Sequence, residues 1–188
     1  MAQQLVLTCW VAAGCSLNRF GMALSVFCTV DAQGHTVCIA QCLVSGETEM
    51  DFVWQFKQYL EAVGRAPTVM FTDRDPAAAA AIRIVFPGVQ HYWCIWHLTK
   101  SISSNLATKL AGDMQSFMSE FHRLAMVTSV SVCEAAFDDL LEKHLLSAEY
   151  MRTWLGGPVN MKRWAICHQV RLTVPLCCKP YPAQPKLN

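Results

Sequence analysis

The stretch TVMFTDRDPAAAAA, residues 68–81, decides how the rest of the chain is read. Thr68 to Phe71 form a short apolar run with β character, as expected of a strand buried on both faces of an α/β sheet. Asp73 then falls at the carboxyl end of that strand. Asp75 precedes Pro76, a residue suited to the first helical position, so Asp75 reads as the N-cap of a helix from Pro76 to about Phe86. In open α/β sheets ligands bind in the crevice at the strands' carboxyl ends. Asp73 is therefore the candidate for chemistry and Asp75 the candidate for structure, with a plain turn carboxylate as the alternative reading of Asp73.

Working outward, residues 4–11, 22–30 and 36–44 read as strands, the last two joined by the turn Asp31–His35. The stretch TEMDFVWQFKQYLEAVG that follows sets Thr48 and Asp51 at capping-box spacing. It puts Val53, Phe56, Leu60 and Val63 on one face and stops at Gly64, which predicts an amphipathic helix. After the helix at 76–86, Pro87-Gly88 breaks the chain before a further strand through VQHYWC. The predicted order is β-β-β-α-β-α-β, an α/β fold, with a mostly helical part from His97 to about residue 168. The expected organisation is a core over 1–98, a helical part over 99–168 and a loose tail over 169–188, where four prolines follow Arg171.

Composition bounds the rest. The 188 residues are 53% hydrophobic and 15% charged with a formal net charge of +1, a globular profile that excludes a strongly basic nucleic-acid binder. Any nucleic-acid surface must be local, and Lys100, Lys109, His122, Arg123, Lys143 and Arg152 are sparse for a groove. The ten cysteines lie within apolar strand-like and helical stretches, which fits buried thiols better than a disulfide framework. No membrane helix is expected, and residues 5–15 lack the basic flank of a secretory signal. Of the tryptophans, Trp54, Trp93, Trp96, Trp154 and Trp164 are expected mostly in the core.

Six pieces, in order and spacing, carry a family resemblance: NRFGM at 18–22, ETEMDFVW at 47–54, FTDRDPA at 71–77, AIRIVFP at 81–87, CIWH at 94–97 and, more loosely, KRWA at 162–165. Together they resemble the transposase domain of Mutator-like elements (MULE), including the far-red-response regulators of plants derived from them. The resemblance covers most of residues 5–168. It implies a ribonuclease-H-like fold with a DDE site, in which three carboxylates hold two divalent ions, Mg2+ or Mn2+, for DNA cleavage and strand transfer. It further implies DNA at transposon ends as partner, protein partners or a homo-oligomer, and a nuclear location.

The same resemblance assigns Asp73 as the second acid and points to Glu134, within CEAAF at 133–137, as the third, with Asp138 one turn on as competitor. The position of the first acid, six residues before Asn18, is Ala12. No Asp or Glu precedes Asp31, which sits in a hairpin turn. An alanine supplies no charged oxygen to a metal, so the chain is expected to be an inactive transposase remnant. The lack of flanking zinc-binding regions agrees with a remnant core. The pair Cys94 and His97 has C-x-x-H spacing, half a zinc site that Cys167 and His168 could complete. The competing reading, a buried thiol and a hydrogen-bonded histidine, is favoured because no second close-spaced pair of the usual form exists, and zinc is not expected.

Overall fold

The computed structural model describes residues 6–16, 19–31 and 33–169, the first of these segments as backbone only. Asn18 and nearly all of the predicted tail lie outside the described residues. The chain divides into two compact units that meet at Cys94 and Ile95.

The first unit is mixed α/β, as expected. Its elements are β1 (Val6–Ser16), β2 (Ala23–Val30), β3 (Thr36–Val44), α1 (Glu49–Val63), β4 (Val69–Thr72), α2 (Pro76–Val85) and β5 (Gln90–Trp93). They build one five-stranded sheet in the order β3-β2-β1-β4-β5. β1 pairs antiparallel with β2, and β2 antiparallel with β3. β4 lies parallel to β1 in the register Val6 to Val69, Leu7 to Met70 and Thr8 to Phe71, and β5 lies parallel to β4. Two antiparallel steps make β3 parallel to β1, so β1, β3, β4 and β5 all end at the same edge of the sheet.

β1 continues to Ser16, five residues beyond the expected end. The added residues are Ala12, Ala13, Gly14, Cys15 and Ser16, poor strand formers by propensity. Pairing with β2 extends the strand instead, with a register shift between Val11 and Ser16.

The core lies between sheet and helices. Phe27 of β2 and Met70 of β4 pack with Phe52, Phe56 and Tyr59 of α1 and with Ala78, Ala81 and Ile82 of α2. Phe56 sits at the centre, its ring 6.2 Å from Phe27 and 5.6 Å from Phe86. The small alanines let α2 pack closely against α1. The capping box of α1 is complete: Asp51 N–H donates to Thr48 Oγ1 at 3.3 Å, and Thr48 N–H donates to Asp51 Oδ2 at 2.9 Å. Gly64 closes that helix with a φ of 75°, a conformation that glycine adopts without Cβ strain. Val63, expected on the buried face, is exposed in the last turn of the helix.

The second unit is helical, with α3 (Ile95–Leu106), α4 (Met114–Ala125), α5 (Val130–Lys143), α6 (Leu145–Trp154), α7 (Gly157–Trp164) and a 3-10 turn at Ile166–His168. Its core holds Phe117 and Phe121 of α4, Cys133, Phe137 and Leu140 of α5, and Trp164. His144, between α5 and α6, is buried; its Nδ1 lies 2.6 Å from Asp113 Oδ2 and its ring meets Phe117 edge-on at 5.1 Å.

The expectation for the tryptophans fails in part. Trp164 is 2% exposed, but Trp54 and Trp154 are 50% and 52% exposed. Trp54 occupies the outer side of α1, where its neighbours Val53 and Gln55 take the inward positions.

Candidate site at the carboxyl edge of the sheet

Asp73 follows Thr72, the last residue of β4, and is partly buried. Thr72 is fully buried and anchors the edge: its hydroxyl lies 2.7 Å from His91 Nε2 of β5 and donates to the Asp73 carbonyl at 2.8 Å. Cys94 N–H, just past β5, donates to the Thr72 carbonyl at 2.7 Å. Both β-strand ends are thereby held in line.

Both carboxylates of the opening stretch take part in the turn that follows. Asp75 N–H donates to Asp73 Oδ1 at 3.1 Å, and Ala78 N–H donates to Asp75 Oδ1 at 2.9 Å. Asp75 is the N-cap of α2 with Pro76 inside the first turn, the role its sequence neighbours predict. The alternative reading of Asp73 as a turn carboxylate describes one of its oxygens.

Glu47 is the residue that sequence reasoning missed. It lies three positions past the end of β3, at the edge shared with Asp73. Burial pushes its carboxyl above the ordinary glutamate range, and the charges of Asp73 and then Asp75 push it further. Its Oε1 is buried with no hydrogen-bond partner among the described residues. The motif ETEMDFVW contained it, but only the parallel alignment of β3 with β4 brings it to Asp73. Asp31 belongs to the opposite edge, at the end of β2, where His35 N–H donates to its Oδ1 at 2.8 Å and holds its carboxyl below the ordinary aspartate range.

The register of β1 on β4, if carried past its last pair, Thr8 and Phe71, runs to Trp10 level with Asp73 and to Ala12 two residues further on, level with Asp75. No carboxylate occurs anywhere along β1. Among the described residues no three His, Cys, Asp or Glu side chains come close enough to hold a metal ion. Of the three carboxylates that the family resemblance implies, the sheet unit carries Asp73, and the sequence of β1 carries none.

The other singled-out residues are placed as follows. Glu134 is exposed on α5, one residue past buried Cys133, and Asp138 is exposed one turn on. Cys94 is buried at the end of the sheet unit, whereas His97 lies in the first turn of α3 with its ring edge-on to Trp96 at 4.8 Å. Cys167 and His168 form part of the 3-10 turn. No helix among the described residues is long and apolar enough to cross a membrane.

Residues 16–101, from the end of β1 through Asp73 to the middle of α3, match the MULE transposase domain. The family resemblance of the motifs is thereby shown. The MULE-like chain is 34% identical over 131 residues, 69% of its length, to Protein FAR1-RELATED SEQUENCE 5 of Arabidopsis thaliana. It is 32% identical over 82 residues, 43% of its length, to Protein FAR-RED IMPAIRED RESPONSE 1 of the same plant. The chain spans only 16% and 10% of the length of these two relatives. A solved structure, the HTLV-2 integrase catalytic core domain in complex with magnesium, superposes with a TM-score of 0.36 at 16% identity, covering 90% of this chain and 99% of that one.

Proposed function

We propose that this chain is a transposase-derived domain on a ribonuclease-H-like fold, ancestrally a metal-dependent DNA-cleaving and strand-transferring module, that no longer cuts DNA. The observation that supports the reading is the pairing of β1 with β4: the strand beside β4 has no acid, and the family resemblance puts Ala12 at the position of the first carboxylate. Two Mg2+ or Mn2+ ions bridged by three carboxylates would activate the attacking oxygen and stabilise the leaving one. With one acid missing, Asp73, with Glu134 or Asp138 as its third partner, retains too few hard oxygen ligands for that geometry. In this reading the domain acts as a DNA- or protein-binding module in the nucleus, like the plant regulators its motifs resemble.

Calorimetric titration of Mg2+ and Mn2+ into wild type, Ala12→Asp and Asp73→Ala tests it. Wild type should bind no better than Asp73→Ala, and Ala12→Asp should gain affinity. Tight binding by wild type that depends on Asp73 would reject the reading.

A second reading, residual metal-dependent nicking, draws support from Glu47, whose carboxyl feels Asp73 and Asp75. It requires Mg2+-dependent nicking of supercoiled DNA that is lost in both Asp73→Ala and Glu47→Gln.

A further inference from the structure

The hairpin of β2 and β3 carries two thiols that the site at the sheet edge does not use. Cys28 of β2 and Cys38 of β3 are directly opposed partners in the antiparallel ladder. The turn fixes which kind of pair they form. Asp31 N–H donates to the His35 carbonyl at 2.9 Å, which makes these two a hydrogen-bonded pair. Pair types alternate along an antiparallel ladder. Val30 with Thr36 is then non-hydrogen-bonded, Thr29 with Val37 hydrogen-bonded, and Cys28 with Cys38 non-hydrogen-bonded. The register shift of this ladder falls between Phe27 and Cys28, beyond the cysteine pair as counted from the turn, so the alternation up to it is unbroken. At a non-hydrogen-bonded position opposed Cα atoms stand about 4.5 Å apart with both side chains on one face of the sheet. A disulfide spans Cα separations of roughly 4.4–6.8 Å. The two thiols differ in access: Cys38 is exposed, with its S–H donating to the Ala40 carbonyl at 3.6 Å, whereas Cys28 is 8% exposed.

We propose that Cys28 and Cys38 are a redox pair that a small-molecule disulfide converts to a cross-strand disulfide, tying the edge strand β3 to β2. The Cys38 thiolate attacks one sulfur of the small disulfide; its S–S bond breaks, a mixed disulfide forms on Cys38, and the first small thiolate leaves and is protonated. Rotation about χ1 then takes the Cys38 sulfur from the Ala40 carbonyl across the ladder. The Cys28 sulfur gives up its proton to solvent and attacks the Cys38 sulfur; the mixed disulfide breaks, and the second small thiolate leaves and is protonated. Two protein thiols are oxidised to one disulfide while one small disulfide is reduced to two thiols. Exposure sets the order, because the reagent reaches Cys38 and not Cys28. The second step is intramolecular, and the register holds the attacking sulfur opposite its target.

The test uses the full chain in glutathione buffers of rising oxidised fraction, with remaining thiols alkylated and the protein mapped without reduction. Cleavage before Asp31, the only acidic residue between the two cysteines, puts them on separate peptides. Wild type should yield these peptides joined from Cys28 to Cys38, and dithiothreitol should return both to alkylatable thiols. Cys28→Ser should stop one step short, with one glutathione held on Cys38. Cys38→Ser should leave Cys28 a thiol; because it alters an exposed side chain, it and the wild-type map decide the matter if Cys28→Ser does not fold. Both thiols unlinked in the most oxidised buffer, glutathione retained on Cys38 in wild type, or a link from either cysteine to a different one would overturn the proposal. So would glutathione on Cys28 in Cys38→Ser, or none on Cys38 in folded Cys28→Ser.

Discussion

Asp75 N–H donates to Asp73 Oδ1 at 3.1 Å, so the residue assigned to chemistry and the residue assigned to structure belong to one turn. Thr72, fully buried, holds the strand side of that turn, and Ala78 N–H holds the helix side through Asp75 Oδ1. The position of Asp73 at the sheet edge thus depends on the helix cap beside it.

Asp75→Ala removes the cap of α2. It should lower stability by about 1 kcal/mol, while Asp75→Asn, which keeps an oxygen for Ala78 N–H, should stay within a few tenths. Urea denaturation of the three proteins measures this, and equal midpoints for Asp75→Ala and wild type would show that the cap contributes nothing.

Glu47 has its carboxyl pushed above the ordinary 4.5, first by burial and then by Asp73 and Asp75. The folded state therefore holds the Glu47 proton more tightly than the unfolded state does. Stability should fall as pH rises through the window from about the ordinary value up to the raised one, and the loss should persist above it. Glu47→Gln removes this component, so its advantage over wild type should grow with pH across that window. A constant difference from acid to neutral pH would contradict the environment described.

Phe56→Ala opens a cavity where Phe27, Phe52 and Phe86 converge on a side chain with no exposure. The expected loss is about 3–5 kcal/mol, a large part of the roughly 5–15 kcal/mol that holds a domain together. Trp54→Ala, two residues away on the outer side, should stay within about 0.5 kcal/mol in the same denaturation series.

In the helical unit His144 is buried, with Nδ1 2.6 Å from Asp113 Oδ2 and Nε2 3.7 Å from Glu120 Oε1. His144→Ala leaves Phe117 without its edge-on neighbour and Asp113 without its partner, at a cost of about 2 kcal/mol. Hydrogen exchange should quicken across α4, α5 and α6. Acceleration confined to the sheet unit, with these helices unchanged, would refute the assignment.

Much of the candidate site was legible in residue order. The capping box at Thr48 and Asp51, the cap at Asp75 and the strand ending before Asp73 are local patterns, each expressed within four residues by backbone hydrogen bonds or side-chain period. The exposure of Trp54 and Trp154 was not legible, because helical spacing marks a stripe but leaves open which side of it a neighbouring element covers. Nor was the length of β1 evident, since Ala12 to Ser16 are weak strand formers that β2 recruits by pairing.

The sequence by itself determined the order of elements in the sheet unit, the family its motifs resemble, and that no Asp or Glu precedes Asp31 to accompany Asp73. Those are properties of short windows or of composition, and no packing alters them. Only the tertiary structure decided that Glu47 joins Asp73 at one edge while Asp31 lies at the other. Strand order and helix contacts bring together residues far apart in the chain, and that pairing is set by which faces bury together.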